Sequence, residues 1–197
     1  MTQPTIHNNW GLPGMTQDRQ SVTRDWQAVD QSPIDGVTVV ETKNVPLSRG
    51  HLTEIYRADW RLDPTAVAQV FQTTLEPGAV SAWHAHAQTT DRLFVSQGQI
   101  FIVLYDARRD SPTYGQLNRF IFGMVRPALV VVPAGVWHGV QNSPSGVGML
   151  LNLVDRAYDY EQPDHYRLPF DSPEIPFQFR GASGGEFQWP GAAAKRD

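Results

Sequence analysis

From Gly36 to Val154 the chain consists of short apolar runs rich in Val, Ile, Phe and Tyr, each cut off by Gly, Pro, Asp or Ser. The runs fall at residues 37–42, 51–58, 66–75, 79–86, 92–97, 99–106, 118–123, 128–133, 136–141 and 147–154. β-Branched and aromatic side chains suit a pleated, half-buried surface, and Gly and Pro punctuate it. No long helical period lies between the runs. The expectation is an all-β antiparallel sandwich or barrel, for which the jelly roll is one solution. Residues 1–35 are polar and turn-rich and read as an N-terminal extension, with one short helix over Ser21–Ala28 begun by a Ser cap. The folded domain is placed at 36–179, and the Gly- and Ala-rich stretch 180–197 reads as a peripheral tail.

Composition narrows the function classes. The 197 residues carry a net charge of −4, and the sixteen Lys and Arg form no block, so neither nucleic acid nor an anionic membrane is an expected partner. Cysteine is absent, which removes disulfides, thiolate ligands and cysteine nucleophiles. The N-terminus has neither a basic nor an apolar leader region, and no apolar run reaches spanning length, so a soluble cytoplasmic protein is the default.

The chemistry is concentrated in two stretches. In Gly78-Ala-Val-Ser81-Ala-Trp83-His84-Ala-His86-Ala-Gln-Thr-Thr-Asp91, the two histidines are separated by one residue. On a strand they share a face, with Cα atoms about 6.6 Å apart, so both imidazoles can turn to one ion. Asp91 opens the next apolar run and can return a carboxylate to that point. In Pro133-Ala-Gly135-Val-Trp137-His138-Gly-Val-Gln-Asn142 a turn precedes a third histidine. Three imidazoles and a carboxylate form a set for a divalent transition metal such as Zn, Fe, Mn or Ni. The metal set is thus His84, His86, Asp91 and His138, with Asp91 the weakest member because its side chain is short and could reach an ion through water. Trp83 and Trp137 point to the opposite, packing face; His7, His51 and His165 lie outside the motifs and take the ordinary reading of histidines that pack or hydrogen-bond.

These two stretches resemble the paired motifs of the cupin superfamily, with Asp91 in place of the usual Glu and Pro127 in place of a leading Gly. A longer resemblance, over about Val37 to Phe179, is to the dTDP-4-dehydrorhamnose 3,5-epimerase family of cupins. Arg49-Gly50 with Glu54 resembles its Arg-Gly-x-x-x-Glu signature, and Asp106-Ala-Arg108-Arg-Asp-Ser111-Pro112-Thr113-Tyr114-Gly115 its Asp-x-Arg-x-x-Ser-Pro-Thr-Phe-Gly. Val132-Pro133-Ala-Gly135-Val-Trp-His138-Gly139 and Phe170-Asp171-Ser-Pro-Glu-Ile175 match further family stretches. The resemblance implies a double-stranded β-helix, a homodimer, and a small-molecule substrate of the sugar-nucleotide kind. It implies substrate binding by Arg49, Glu54 and Gln69, a catalytic base at His84, and a second site histidine at His138.

Other family positions are changed. The family's substrate-binding Arg corresponds to Ser81, its Gln to His86, its active-site Lys to Asp91, its catalytic Tyr to Asn152, and an aromatic near the base-binding surface to Leu52. A cation lost at Asp91 and an imidazole gained at His86 convert an acid–base pocket into one that attracts a cation. Four readings follow. The leading expectation is a metal-dependent isomerase or epimerase of a keto sugar, with Tyr105, Asn152, Gln69 or metal-bound water as proton shuttle. The alternatives are a metal-free epimerase with His84 as base, an Fe or Mn dioxygenase, and a non-catalytic sugar-nucleotide-binding protein.

Overall fold

A computed structural model describes residues 10–17, 20–25 and 32–179. The chain divides into two compact units, Met1–Gln31 and Ser32–Asp197. In the first, Ser21–Asp25 forms an isolated bridge at Val22 and a turn rather than the expected helical start. The remainder of that expected helix, and the tail 180–197, lie outside the described residues.

The second unit is all-β apart from one 3-10 turn, Ala58–Trp60, among the described residues. Its strands are β1 (Thr38–Glu41), β2 (Asn44–Leu47), β3 (Gly50–Thr53), β4 (Gln69–Leu75), β5 (Val80–Ala85) and β6 (Asp91–Gln97). They continue with β7 (Gln99–Asp106), β8 (Leu117–Gly123), β9 (Ala128–Val132), β10 (Val136–Asn142), β11 (Gly148–Val154) and β12 (Tyr166–Arg167). Two five-stranded sheets, ordered β1-β9-β6-β11-β4 and β12-β5-β10-β7-β8, make the jelly roll, and β2-β3 stands apart as a hairpin. Every pairing in the sheets is antiparallel.

The expected apolar runs become strands with two differences. The run 51–58 stops pairing at Thr53, and its end turns into a cover over the first sheet. β2 contains Pro46, which has no N–H to donate; it is tolerated because the hairpin is not a central part of a sheet. Alternation of side chains then sorts the residues into three apolar groups. Ile100, Ile102 and Leu104 of β7 point between the sheets with Leu93, Val95, Val130, Val136, Val140 and Leu150. Phe94, Leu129 and Leu153 face outward under Ile55, Tyr56, Trp60 and Leu62. On the other sheet, Trp83 and Val103 face outward under Ile175, Phe177 and Phe179. Gly98 turns β6 into β7 at φ 75°, a conformation that a side chain would strain.

Candidate functional site

The histidines lie on interior faces of the roll, among positions of its core. β10 contributes Val136 and Val140 to the interior, so His138, between them, also points inward. Across the pairing His138 lies opposite His84. The register then slips between His138 and Val140, so that Ser81 rather than Ala82 pairs with Val140. This irregularity brings Ser81 and His84 together: the Ser81 hydroxyl lies 3.0 Å from His84 Nε2. The slip needs Gly139, because a Cβ there would stand 2.6 Å from the Ala82 Cβ and 3.0 Å from the Phe179 ring.

Asp91 enters from the other sheet as the first residue of β6 and is 1% exposed. Its Oδ2 lies 3.2 Å from His86 Nε2 and 3.4 Å from His138 Nε2. Its Oδ1 accepts a 2.7 Å hydrogen bond from the Asn152 amide, whose own oxygen accepts from the Arg92 N–H. The outer nitrogens of both imidazoles face carbonyls: His86 Nδ1 that of Asp164, and His138 Nδ1 that of Val136 at 3.4 Å. Ligand atoms of His86, Asp91 and His138 all fall within 4.8 Å of one another.

His84 stands beside this set with its ring centre 5.8 Å from that of His138. Its Nδ1 contacts His165 Nε2 at 2.9 Å. The expected four-ligand group therefore divides into a His86–Asp91–His138 set and a His84–His165 pair. The ordinary reading of His165 needs correction, since its ring centre is 5.0 Å from both His84 and His86. It arrives on the approach to β12, a two-residue strand that pairs with β5 at Ala85 and His84. No spacing signal in the sequence marks a histidine 81 residues from its partner. Asp164 fixes the same approach, its carboxylate accepting from the N–H groups of Ala87, Gln88 and Thr89.

Burial lowers the pKa of His84 to about 2, with the neighbouring His138, His165 and Arg167 acting in the same direction. Its imidazole is thus neutral and carries a lone pair at neutral pH. Burial also lowers His138, against the opposing attraction of Asp91. His86 is raised: burial opposes the charge, but the hydrogen bond and charge of Asp91 outweigh it. Burial pushes Asp91 up, yet His86, His138 and Asn152 bring it down to about 2.

Tyr105 is a second correction. On β7 it follows Leu104, the interior residue opposite His138, and so faces outward into the Trp83 and Phe177 group. Alternation with period two excludes it as a proton shuttle to the interior. Trp83 and Trp137 pack on that same outer face, as expected. Asn152 does reach the site, where it orients Asp91. Gln69 opens β4, and its side-chain oxygen accepts from the Tyr158 N–H at 2.8 Å. Arg49 and Glu54 belong to the separate hairpin and its exit, and Glu54 is paired with Arg57 at 3.2 Å.

A jelly roll with a histidine cluster between its sheets is the architecture of cupins. Residues 31–191 match the dTDP-4-dehydrorhamnose 3,5-epimerase family, and the chain belongs to it. A probable low-salt glycan biosynthesis epimerase of Haloferax volcanii is 36% identical over 127 residues, 62% of this chain and 80% of that protein. A spore coat polysaccharide biosynthesis protein of Bacillus subtilis is 32% identical over 146 residues, 74% of this chain and 96% of that one. The crystal structure of a dTDP sugar isomerase from Desulfovibrio desulfuricans superimposes with a TM-score of 0.70 at 29% identity, covering 76% of this chain and 94% of that one.

Proposed function

We propose that the protein epimerises a nucleotide-linked keto sugar at a carbon next to the carbonyl, with His84 as the proton-abstracting base. The observation that carries this is the neutral, half-buried His84 imidazole beside His138, with Nε2 met by a rotatable hydroxyl. Family membership supports the reaction class, and it favours His84 as base over a reaction carried by a metal ion alone. It equally leaves the dioxygenase and purely binding readings without a supporting relative among the proteins compared above.

Abstraction of a proton next to a carbonyl needs a base within hydrogen-bond reach and an electrophile at the carbonyl oxygen. Ser81 occupies the Nε2 side of His84, and rotation of its hydroxyl opens that side to a substrate C–H. His165 holds Nδ1 and the ring plane, a positioning role; with Nδ1–H donating to His165 Nε2, the lone pair of His84 lies at its own Nε2. Asn152 cannot exchange a proton as a phenol does; it orients Asp91 instead. Gln69 is available for polar contact with the sugar nucleotide.

The homodimer belongs to the same proposal. Arg49 and Glu54 sit on a hairpin rather than among the histidines, so they would serve the site of a second copy. The test is solvent deuterium incorporation into dTDP-4-keto-6-deoxyglucose followed by NMR. The wild-type protein is expected to exchange the position next to the carbonyl, and His84→Gln to lose it by about 10²- to 10⁴-fold. His165→Phe should lower kcat about tenfold with KM nearly unchanged, whereas His165→Gln, which keeps a hydrogen-bonding group, should recover part of the loss. Exchange persisting at the wild-type rate in His84→Gln would remove His84 from the base role.

A further inference from the structure

We propose that Arg167 binds the diphosphate of a nucleotide-linked sugar at the rim of the roll and so holds the sugar over His84. Arg167 lies directly across from His84 in the pairing of β12 with β5. The next pair along, Trp83 and Leu168, exchanges both backbone hydrogen bonds, at 3.0 and 3.2 Å. Hydrogen-bonded and non-hydrogen-bonded pairs alternate along an antiparallel ladder. Arg167 and His84 are thus a pair of the second kind, with Cα atoms about 4.5 Å apart and side chains close together. Leu168 packs outward with Trp83, so alternation turns Arg167 to the side of His84. His165, two residues earlier, touches the same imidazole through its Nε2 at 2.9 Å.

Several arginines of the domain already have carboxylate partners: Arg57 has Glu54 and Asp59, Arg92 has Asp63, Arg108 has Asp106 and Arg126 has Glu41. Arg167 has no carboxylate within ion-pair distance among the described residues, and it is exposed on the edge strand of its sheet. Its positive charge nonetheless reaches inward and acts on both His84 and His165. A cation without a counter-charge, at the border of a site lined by imidazoles, attracts an anion to that border. The proposed substrate carries one, the diphosphate on its anomeric oxygen, separated from the reacting carbon by part of one sugar ring. A guanidinium presents a planar fork that meets two phosphate oxygens at once, which fixes orientation as well as position. Held there, the sugar lies beside His84, whose Nε2 is met by the Ser81 hydroxyl at 3.0 Å. The positioning of the sugar rests on the epimerase reading; the recognition of a nucleoside diphosphate does not.

The experiment is calorimetric titration of the full-length chain with dTDP, UDP and the matching nucleosides. The wild-type protein is expected to bind one of the diphosphates at least about tenfold more tightly than its nucleoside. Arg167→Gln should weaken diphosphate binding by about 10- to 100-fold and leave nucleoside binding unchanged, with Arg167→Lys between the two because it keeps the charge and loses the fork. Added KCl should weaken diphosphate binding more steeply in the wild-type protein than in Arg167→Gln. Arg119→Gln, at the opposite edge of the same sheet, should bind as the wild type does. In the deuterium exchange assay Arg167→Gln should raise KM by the same factor as the loss in affinity, with kcat within about threefold. A wild-type chain that binds neither dTDP nor UDP overturns the site, as does undiminished diphosphate affinity in Arg167→Gln or an equal loss for the nucleoside. A fall confined to kcat overturns it as well, because the guanidinium would then act on the developing enolate. Arg167-dependent binding without any exchange would sink the epimerase reading alone, and exchange with an unchanged KM in Arg167→Gln would sink the Arg167 site alone.

Discussion

Asp106 shows how one residue of a family motif can serve the architecture. Its carboxylate is fully buried at the end of β7 and receives Arg108 Nε at 2.8 Å, the Ser111 hydroxyl at 2.5 Å and the Thr113 hydroxyl at 2.6 Å. Thr113 and Arg108 in turn hold the N–H and carbonyl of Asp35. The family's Asp-x-Arg-x-x-Ser-Pro-Thr motif is therefore a clamp that ties the chain's entry to the β7–β8 connection. Burial would raise the carboxyl, but its Arg108, Ser111 and Thr113 partners hold it well below the ordinary range. A carboxyl lowered in the folded state stabilises fully above its unfolded pKa of about 3.9, and that contribution is lost as pH falls below it. Asp106→Asn is expected to lower stability by about 2 kcal/mol or more at pH 7. Its further loss between pH 5 and pH 3 should be smaller than that of the wild type. Urea unfolding midpoints at the three pH values check both statements; parallel pH curves for the two proteins would contradict the assignment.

At the level of strands, the site depends on how β5 and β10 meet. Regular alternation alone predicts His84, His86 and His138 on inner faces, and that much is legible in the sequence because period two is a property of the backbone. The division into a His84–His165 pair and a His86–Asp91–His138 cluster is not. It depends on the register slip opposite Val140 and on a two-residue strand, β12, which carries no pattern of its own. The same alternation, applied to β7, places Tyr105 outward with Phe101 and Val103. Arg92 is a comparable case. It is completely buried on the outward face of β6, where Asp63 at 2.5 Å and Thr65 at 2.8 Å anchor the cover segment, and no sequence pattern announces that a charged residue sits there. The slip itself can be tested through Gly139. An added methyl must displace the Ala82 Cβ, the Phe179 ring and the Trp83 ring, at 2.6, 3.0 and 3.1 Å. Gly139→Ala is expected to cost about 1–3 kcal/mol as overpacking. Because the displacement separates β5 from β10, exchange activity should fall even at temperatures where far-UV circular dichroism remains native.

For the molecule as a whole, fold class was readable from the apolar runs, whereas the quaternary arrangement rests on what the hairpin is for. Val45 and Leu52 are cross-strand partners in β2–β3 and so share one face, and Leu47 lies two residues along the same strand. All three are more than half exposed. Among the described residues β4 ends the first sheet with one side unpaired, and it presents Val70 and Phe71 to solvent. A sheet edge and an apolar ribbon on the same chain suit a reciprocal contact between two copies related by a two-fold axis. Such an arrangement would also bring Arg49 and Glu54 to the neighbouring histidines, where a single chain leaves them remote. Light scattering of the wild-type protein is expected to give twice the chain mass. Val45→Asp combined with Leu52→Asp should give a folded monomer, because neither side chain belongs to any of the three apolar groups of the core. The monomer should bind sugar nucleotide at least about tenfold more weakly, since each site loses its neighbour's Arg49. A variant that stays dimeric would show that the hairpin is not the contact, and a monomer of undiminished affinity that Arg49 acts within its own chain or not at all.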